Sequence, residues 1–197
     1  MREGQARVLT TAEIKRLFYV APFTRHFLRN RALLLFSHAT GAKVGEIARL
    51  KMSDLIVDGK VSDVICITKS DHSKNRSIYF TNHKAREAMS FYLLRRIDKY
   101  GLWKDSDPLF LSQKRGHFSA NTLQMLLTRL YKLSELDGAK SHSGRRSFAV
   151  KLIREDGVDL KNVQTLLGIQ SKSAMVHYVQ DNPDLLKKIA SKAIEYT

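Results

Sequence analysis

Leu167-Gly168-Ile169-Gln170-Ser171-Lys172-Ser173-Ala174-Met175-Val176-His177-Tyr178 ends on a tyrosine, and upstream of it lies His142-Ser143-Gly144-Arg145-Arg146. A third block, Thr40-Gly41-Ala42-Lys43-Val44-Gly45-Glu46-Ile47, stands far earlier in the chain. A phenol preceded by a cationic helix and an earlier basic turn is the layout needed to attack a phosphodiester. In-line displacement at phosphorus builds a highly anionic transition state, which pre-placed cationic donors stabilise. A tyrosine, with an ordinary pKa near 10, is a poor nucleophile until neighbouring cations favour the phenolate. His142 lies three residues from Arg145 and four from Arg146, so on a helix both guanidiniums flank the histidine. That grouping makes a phosphate cradle with bidentate arginine geometry. A solvated basic helix face is the plain alternative at this point.

Charge narrows the partner. The 197 residues carry 34 Lys and Arg against 19 Asp and Glu, a formal charge of +15. Such an excess points to a polyanion, with nucleic acid ahead of an anionic membrane surface. No apolar run approaches the roughly 20 residues needed to cross a bilayer, and Met1 to Arg7 lacks the apolar stretch of a signal peptide. The single cysteine, Cys66, excludes an internal disulfide framework and fits a reducing cytosol. Cys66 lies in an apolar run and reads as core.

Hydrophobic periodicity predicts a mostly helical α+β chain with one small strand region. Thr10 and Glu13 form a capping box that opens a helix through about Val20. A second helix, about Arg25 to Thr40, stops at Gly41, and a shorter one runs from Val44 to Leu50, so Lys43 lies at their junction. Asp63–Thr68 and Arg76–Thr81 read as strands of a hairpin around the polar stretch Lys69 to Asn75. Helical spacing returns at Ala85 to Ile97 and Leu123 to Leu133, with Asp107–Leu111 extended between them. Ser141 is the expected N-cap of a helix that Gly157 ends. Leu160 to Leu167 form another helix that Gly168 ends, and Leu185 to Ala193 a last amphipathic one. With no repeat and no linker, residues 1–197 are expected to be a single domain.

The three blocks resemble the catalytic domain of tyrosine recombinases, the phage integrases, and the resemblance runs through nearly the whole chain. Thr40, Gly41, Glu46, Leu50 and Asp54 follow the family's Thr-Gly-x-Arg-x-x-Glu block and its sequel, His142 and Arg145 its His-x-x-Arg pair, and Leu167-Gly168 with Tyr178 its last block. Lys69 falls where the family's hairpin lysine stands, with Lys74 the second choice. Two positions depart: Lys43 replaces the usual first arginine, and Ile169 replaces the usual His or Trp. Lysine keeps the charge but loses the planar fork. The resemblance implies an integrase-like fold with a small antiparallel sheet.

The same resemblance implies site-specific cleavage and rejoining of double-stranded DNA through a 3′-phosphotyrosyl intermediate at Tyr178. Lys43, Arg145 and His142 would hold the phosphate, Lys69 would protonate the leaving 5′ oxygen, and Glu46, Ile169 and Arg146 would support them. Lys74, Arg76, Arg115, Asn121 and Gln124 are the plausible DNA contacts. A homodimer to homotetramer on DNA is implied, in a bacterial or phage cytoplasm near the nucleoid. The family's N-terminal core-binding domain has no counterpart in residues 1–197. No metal-ligand spacing and no phosphate-binding glycine loop is present, so neither a metal, another cofactor, a small-molecule substrate nor a membrane is expected. A DNA-binding relative with a weakened or inactive site, and a type IB topoisomerase, remain open alternatives.

Overall fold

A computed structural model describes residues 6–20, 24–67, 76–155, 157–175 and 178. Its contacts divide the chain into two compact units, Met1–Phe148 and Ala149–Thr197.

The first unit is organised around α2 (Phe27–Thr40), in which nine of fourteen residues are buried, including Leu33, Leu34 and Phe36. A helix buried on nearly every side belongs at the centre of a core. The Phe36 ring packs on Phe80 at 5.0 Å and Phe110 at 5.9 Å, joining α2 to the strands and to the extended segment after them. Its longest neighbour is α5 (His83–Tyr100), opened by the Asn82 side chain accepting from the Ala85 amide. The expected capping box is present before α1 (Thr11–Val20): Glu13 accepts from the Thr10 amide at 2.9 Å, and Thr10 Oγ1 from the Glu13 amide at 3.3 Å. α2 ends at Gly41 in the left-handed region, as its position predicted, and α3 (Val44–Arg49) follows directly. Next come α4 (Met52–Leu55) and α6 (Ala120–Leu133), the latter capped by Ser119.

Two antiparallel pairs complete this unit. β1 (Ile56–Val57) and β2 (Lys60–Val61) form a small hairpin that the periodicity reading passed over. Its turn, Asp58-Gly59, has both residues at positive φ, the conformation that an Asp-Gly pair favours in a two-residue hairpin. β3 (Val64–Ile67) and β4 (Arg76–Tyr79) pair with Ile65 opposite Ile78, as expected. Ile65 and Ile67 are buried, whereas Cys66 is exposed, which corrects its reading as core. Successive strand residues alternate faces, so a cysteine between two buried isoleucines faces outward. The expected extended segment appears as a bridge between Lys51 and Pro108, flanked by Leu109 donating to the Leu50 carbonyl at 2.8 Å.

α7 (Ser143–Arg154) begins one residue later than Ser141 would have started it as N-cap. Ser143 Oγ accepts from the Lys140 amide at 2.9 Å, so the serine that organises this turn is Ser143. In the second unit, α8 (Leu160–Leu167) is capped by Asp159 and closed by Gly168 at φ 60°, as expected, and α9 (Lys172–Met175) follows. Val163, Leu167 and Met175 are buried. The amphipathic stretch Leu185 to Ala193 lies outside the described residues. Among the described residues, no helix is long and apolar enough to cross a membrane.

Candidate active site

The turn between α2 and α3 is built so that its backbone can hold side chains from elsewhere. Thr40 Oγ1 bonds back to the Phe36 carbonyl and accepts from the Ala42 amide, and Gly41 takes a left-handed φ of 61°. The Gly41 carbonyl then accepts from Arg145 Nη1 of α7 at 2.6 Å, across more than a hundred residues of sequence. Glu46, 4% exposed, accepts from the Lys43 amide at 2.7 Å and receives the Arg76 guanidinium at 3.1 and 2.6 Å. Burial raises the Glu46 carboxyl, but the bonds and charge of Arg76, the Lys43 amide and the charge of Arg145 together hold it below the ordinary range.

His142 lies at the surface immediately before α7. Partial desolvation, then the charges of Arg145 and Lys43, depress its proton affinity, which favours a neutral imidazole able to accept a proton. Its Nδ1 is 3.3 Å from Ser141 Oγ. Lys43, Glu46, His142 and Arg145 thus share one neighbourhood, with Lys43 exposed and Arg145 buried.

The approach of α7 to α2 depends on Gly144. A Cβ there would lie 2.7 Å from Ser37 Oγ and 3.1 and 3.3 Å from the His38 ring. Beneath this contact, His38 Nε2 is 3.2 Å from the Tyr131 hydroxyl, which is bonded to the Gly144 backbone. Burial drives the Tyr131 phenol upward and the His38 imidazole down to about 4. The spacing that pointed to His142 and Arg145 carries no trace of this supporting pair. The one local signal was a glycine in the first turn of an otherwise ordinary helix.

Other expected site residues are distributed differently. Arg146 does not flank His142 beside Arg145. It is 5% exposed and donates to the Ala6 carbonyl at 3.1 Å, while neighbouring Ser147 receives the Leu9 amide at 2.8 Å. Successive residues of a helix diverge by about 100°, so the consecutive arginines reach different partners, one toward Gly41 and one toward the N-terminal segment. Arg76, expected among the DNA contacts, is held inward by Glu46 in a pair with side-chain exposures of 7% and 3%. Arg115 is exposed, at φ 64°, with its guanidinium 5.1 Å from the Tyr100 ring centroid. Asn121 and Gln124 lie in the first turns of α6, exposed and half-buried respectively. Ile169 is half-buried, and its amide closes α8 on the Gln164 carbonyl at 3.0 Å. Tyr178 belongs to the second unit, is half-buried, and donates its amide to the Met175 carbonyl at 2.8 Å. Lys69, Lys74 and His177 lie outside the described residues. Among the described residues, no group of His, Cys, Asp and Glu side chains is arranged to hold a metal ion.

The profile of the phage integrase family matches residues 7–184. Tyrosine recombinase XerC of Bacillus licheniformis is 34% identical over 191 residues, covering 92% of this chain and 59% of that protein. Tyrosine recombinase XerA of Thermococcus kodakarensis is 30% identical over 190 residues, covering 95% of this chain and 62% of that protein. Among solved structures, a crystal structure of XerA recombinase aligns with a TM-score of 0.79 at 25% identity, over 96% of this chain and 66% of that one. The XerH site-specific recombinase bound to palindromic difH substrate aligns with a TM-score of 0.73 at 22% identity, over 95% and 53%. The chain therefore spans about three-fifths of the length of its curated relatives.

Proposed function

This chain belongs to the phage integrase family, and we propose that it is the strand-cutting domain of a site-specific tyrosine recombinase acting on duplex DNA. The observation that carries the reading is the convergence of Lys43, His142 and Arg145, drawn from distant blocks, on one electropositive neighbourhood. In this reading Tyr178 Oη attacks the scissile phosphorus as the bond from phosphorus to the 5′ oxygen breaks. The leaving oxygen keeps the electron pair and takes a proton from Lys69. His142 accepts the phenolic proton, a role consistent with its depressed proton affinity. Arg145 and Lys43 bear on the non-bridging oxygens, where transition-state charge accumulates. Attack by a second strand's 5′ hydroxyl reverses these steps and rejoins the DNA. The bond energy is kept in the phosphotyrosine, so the chemistry calls for no metal and no nucleotide.

Lys43 stands in this scheme for the family's first arginine as a point charge, and Glu46 fixes the backbone that carries it. Residues 1–197 act as a single catalytic domain, and two or four copies assemble on paired sites. Arg115, Asn121 and Gln124 contact the DNA, together with Lys74, and the protein works in a bacterial or phage cytoplasm.

The test is a nicked suicide substrate run on a denaturing gel. A covalent protein–DNA adduct is expected for the unaltered chain and none for Tyr178→Phe. Absence of any adduct, or an adduct that survives Tyr178→Phe, overturns the proposal.

A further inference from the structure

A second cationic site lies at the other end of α2, about 20 Å of helix from Lys43 at 1.5 Å per residue. There a cavity of about 570 Å³ opens between the first turn of α2, the last turns of α5 and residues 111–113. That volume is in the range of small-ligand sites, roughly 300–1,000 Å³. Five cationic side chains line it, and no carboxylate among the described residues does.

Two of the five are neutralised: Arg95 pairs with Asp98, and Arg96 lies 3.4 Å from Asp107. Arg29 is not. It is 6% exposed, yet among the described residues its guanidinium donates to neutral acceptors, the Leu111 carbonyl at 2.9 Å and Asn30 Oδ1 at 3.2 and 2.9 Å. The face of Phe118 lies 5.3 Å from it. No carboxylate pairs with Arg29 among the described residues. A buried charge without a counter-charge is costly, and an anion in the adjoining cavity offsets that cost. Arg25 and Lys99 add two further cations that have no ion-pair partner among the described residues, and both line the cavity.

The lining also offers rings. Phe27 is 45% exposed and Tyr100 40% exposed, and the Tyr100 ring carries Lys99 at 5.3 Å and Arg115 at 5.1 Å from its centroid. His26 lies beside them in the left-handed backbone region, with its Nε2 buried and without a hydrogen-bond partner among the described residues. Desolvation, then Arg29, Arg25 and Lys99, lowers its proton affinity, as a site of positive potential would. The cavity wall is held in place, because the Leu111 amide donates to Tyr92 Oη at 3.0 Å while its carbonyl receives Arg29.

We propose that this cavity binds a nucleotide: Arg25 and Lys99 contact the phosphate, Arg29 supplies an uncompensated positive field, and Phe27 presents a face to the base. Exposed aromatic side chains among cations recognise nucleotides in this way, since every base has a face to stack. The ligand is either a free nucleotide or an unpaired nucleotide of a DNA strand. Both share the phosphate ester and the aromatic base.

Chemical-shift mapping on the ¹⁵N-labelled chain tests this with deoxyadenosine monophosphate, inorganic phosphate, deoxyadenosine and a short single-stranded oligodeoxyadenylate. The monophosphate is expected to shift amides of residues 25–29, 95–100 and 111–113, and to bind at least fivefold more tightly than inorganic phosphate or deoxyadenosine. Arg25→Ala with Lys99→Ala, both exposed, is expected to weaken it at least fivefold. Binding of the monophosphate without the oligonucleotide identifies a free ligand, and equal or tighter oligonucleotide binding identifies a strand. Shifts centred on Lys43 and His142, no shifts at the named amides, equal binding of inorganic phosphate, or full affinity in the double variant each overturn the proposal. None of these readouts requires DNA cleavage, so failure here is separable from failure of the recombinase reading.

Discussion

His38 is expected to make this fold acid-sensitive in a way that one substitution removes. Its Nδ1 is shut off from solvent without a protein acceptor among the described residues, and its Nε2 sits on the Tyr131 hydroxyl 3.2 Å away. Protonation would bury an unsatisfied N–H and a positive charge together, so the folded chain holds the imidazole near 4 instead of the ordinary 6.5. Because the folded value is the lower one, the unfolded chain binds the proton more readily. Stability is therefore complete above about pH 6.5 and declines as the pH falls toward 4. A displacement from 6.5 to about 4 corresponds to roughly 3.4 kcal/mol in full, and to about 2.5 kcal/mol already at about pH 4.5. His38→Gln keeps an amide within reach of Tyr131 but cannot titrate. Urea unfolding followed by far-ultraviolet circular dichroism, at about pH 7.5 and about pH 4.5, gives the loss of stability for each protein. Glu13, Glu46, His26 and His142 titrate in both proteins and cancel in the difference. The unaltered chain is expected to lose about 2.5 kcal/mol more than the variant. Equal losses, or a His38 ring resonance titrating near 6.5, would refute the reasoning.

Three further outcomes follow from the same geometry. Glu46→Gln keeps the shape of the side chain but removes the carboxylate charge that faces the nearly buried Arg76 guanidinium, so unfolding experiments should show a loss of about 3–5 kcal/mol. Gly144→Ala forces a methyl to 2.7 Å from Ser37 Oγ and should cost about 1–3 kcal/mol by thermal denaturation. Adding Ser37→Ala should return part of that loss, whereas strict additivity would mean that the crowding lies elsewhere. Lys43→Ala is expected to slow adduct formation on the suicide substrate about 10²–10³-fold. Lys43→Arg is expected to be slower than the unaltered chain, and a faster Lys43→Arg would mean that the site is a weakened one rather than one built on lysine.

What the sequence disclosed and what it concealed divide by range of interaction. Glycines at the helix ends, Gly41 and Gly168, announced their left-handed caps, and the β-rich run Val64 to Ile67 announced β3. These signals depend on a residue and its near neighbours alone. The period of two that any strand imposes should have set Cys66 on the face opposite Ile65 and Ile67, and Asp58-Gly59 should have announced β1 and β2. Those two misses lay in the reading, since the residues themselves carried the signal. Ser141 failed as a cap for a subtler reason, because Ser143 lies within the same turn and reaches the Lys140 amide.

The site shows the other limit. Its composition announces a cationic cluster, but charge and spacing do not say which guanidinium faces outward. Four arginines were candidates for work at the phosphate or the DNA, and of these Arg115 stays exposed beside Tyr100. Arg76 is committed to Glu46 across thirty residues of sequence, and Arg146 to Ala6 across 140. Only Arg145 remains beside His142, and its direction is set by a carbonyl that Gly41 turns toward it. That selection is made by packing: α7 can approach α2 because residue 144 lacks a Cβ, with His38 and Tyr131 bonded beneath the contact. Lys43, exposed and two residues after Gly41, then adds its charge to His142 from the opposite block. If Gly144→Ala leaves the His142 titration where it is in the unaltered chain, the helix approach does not set the electrostatics of the site. A shift of that titration toward 6.5 would show that closeness of α7 to the Gly41 turn is what couples the cations to the histidine.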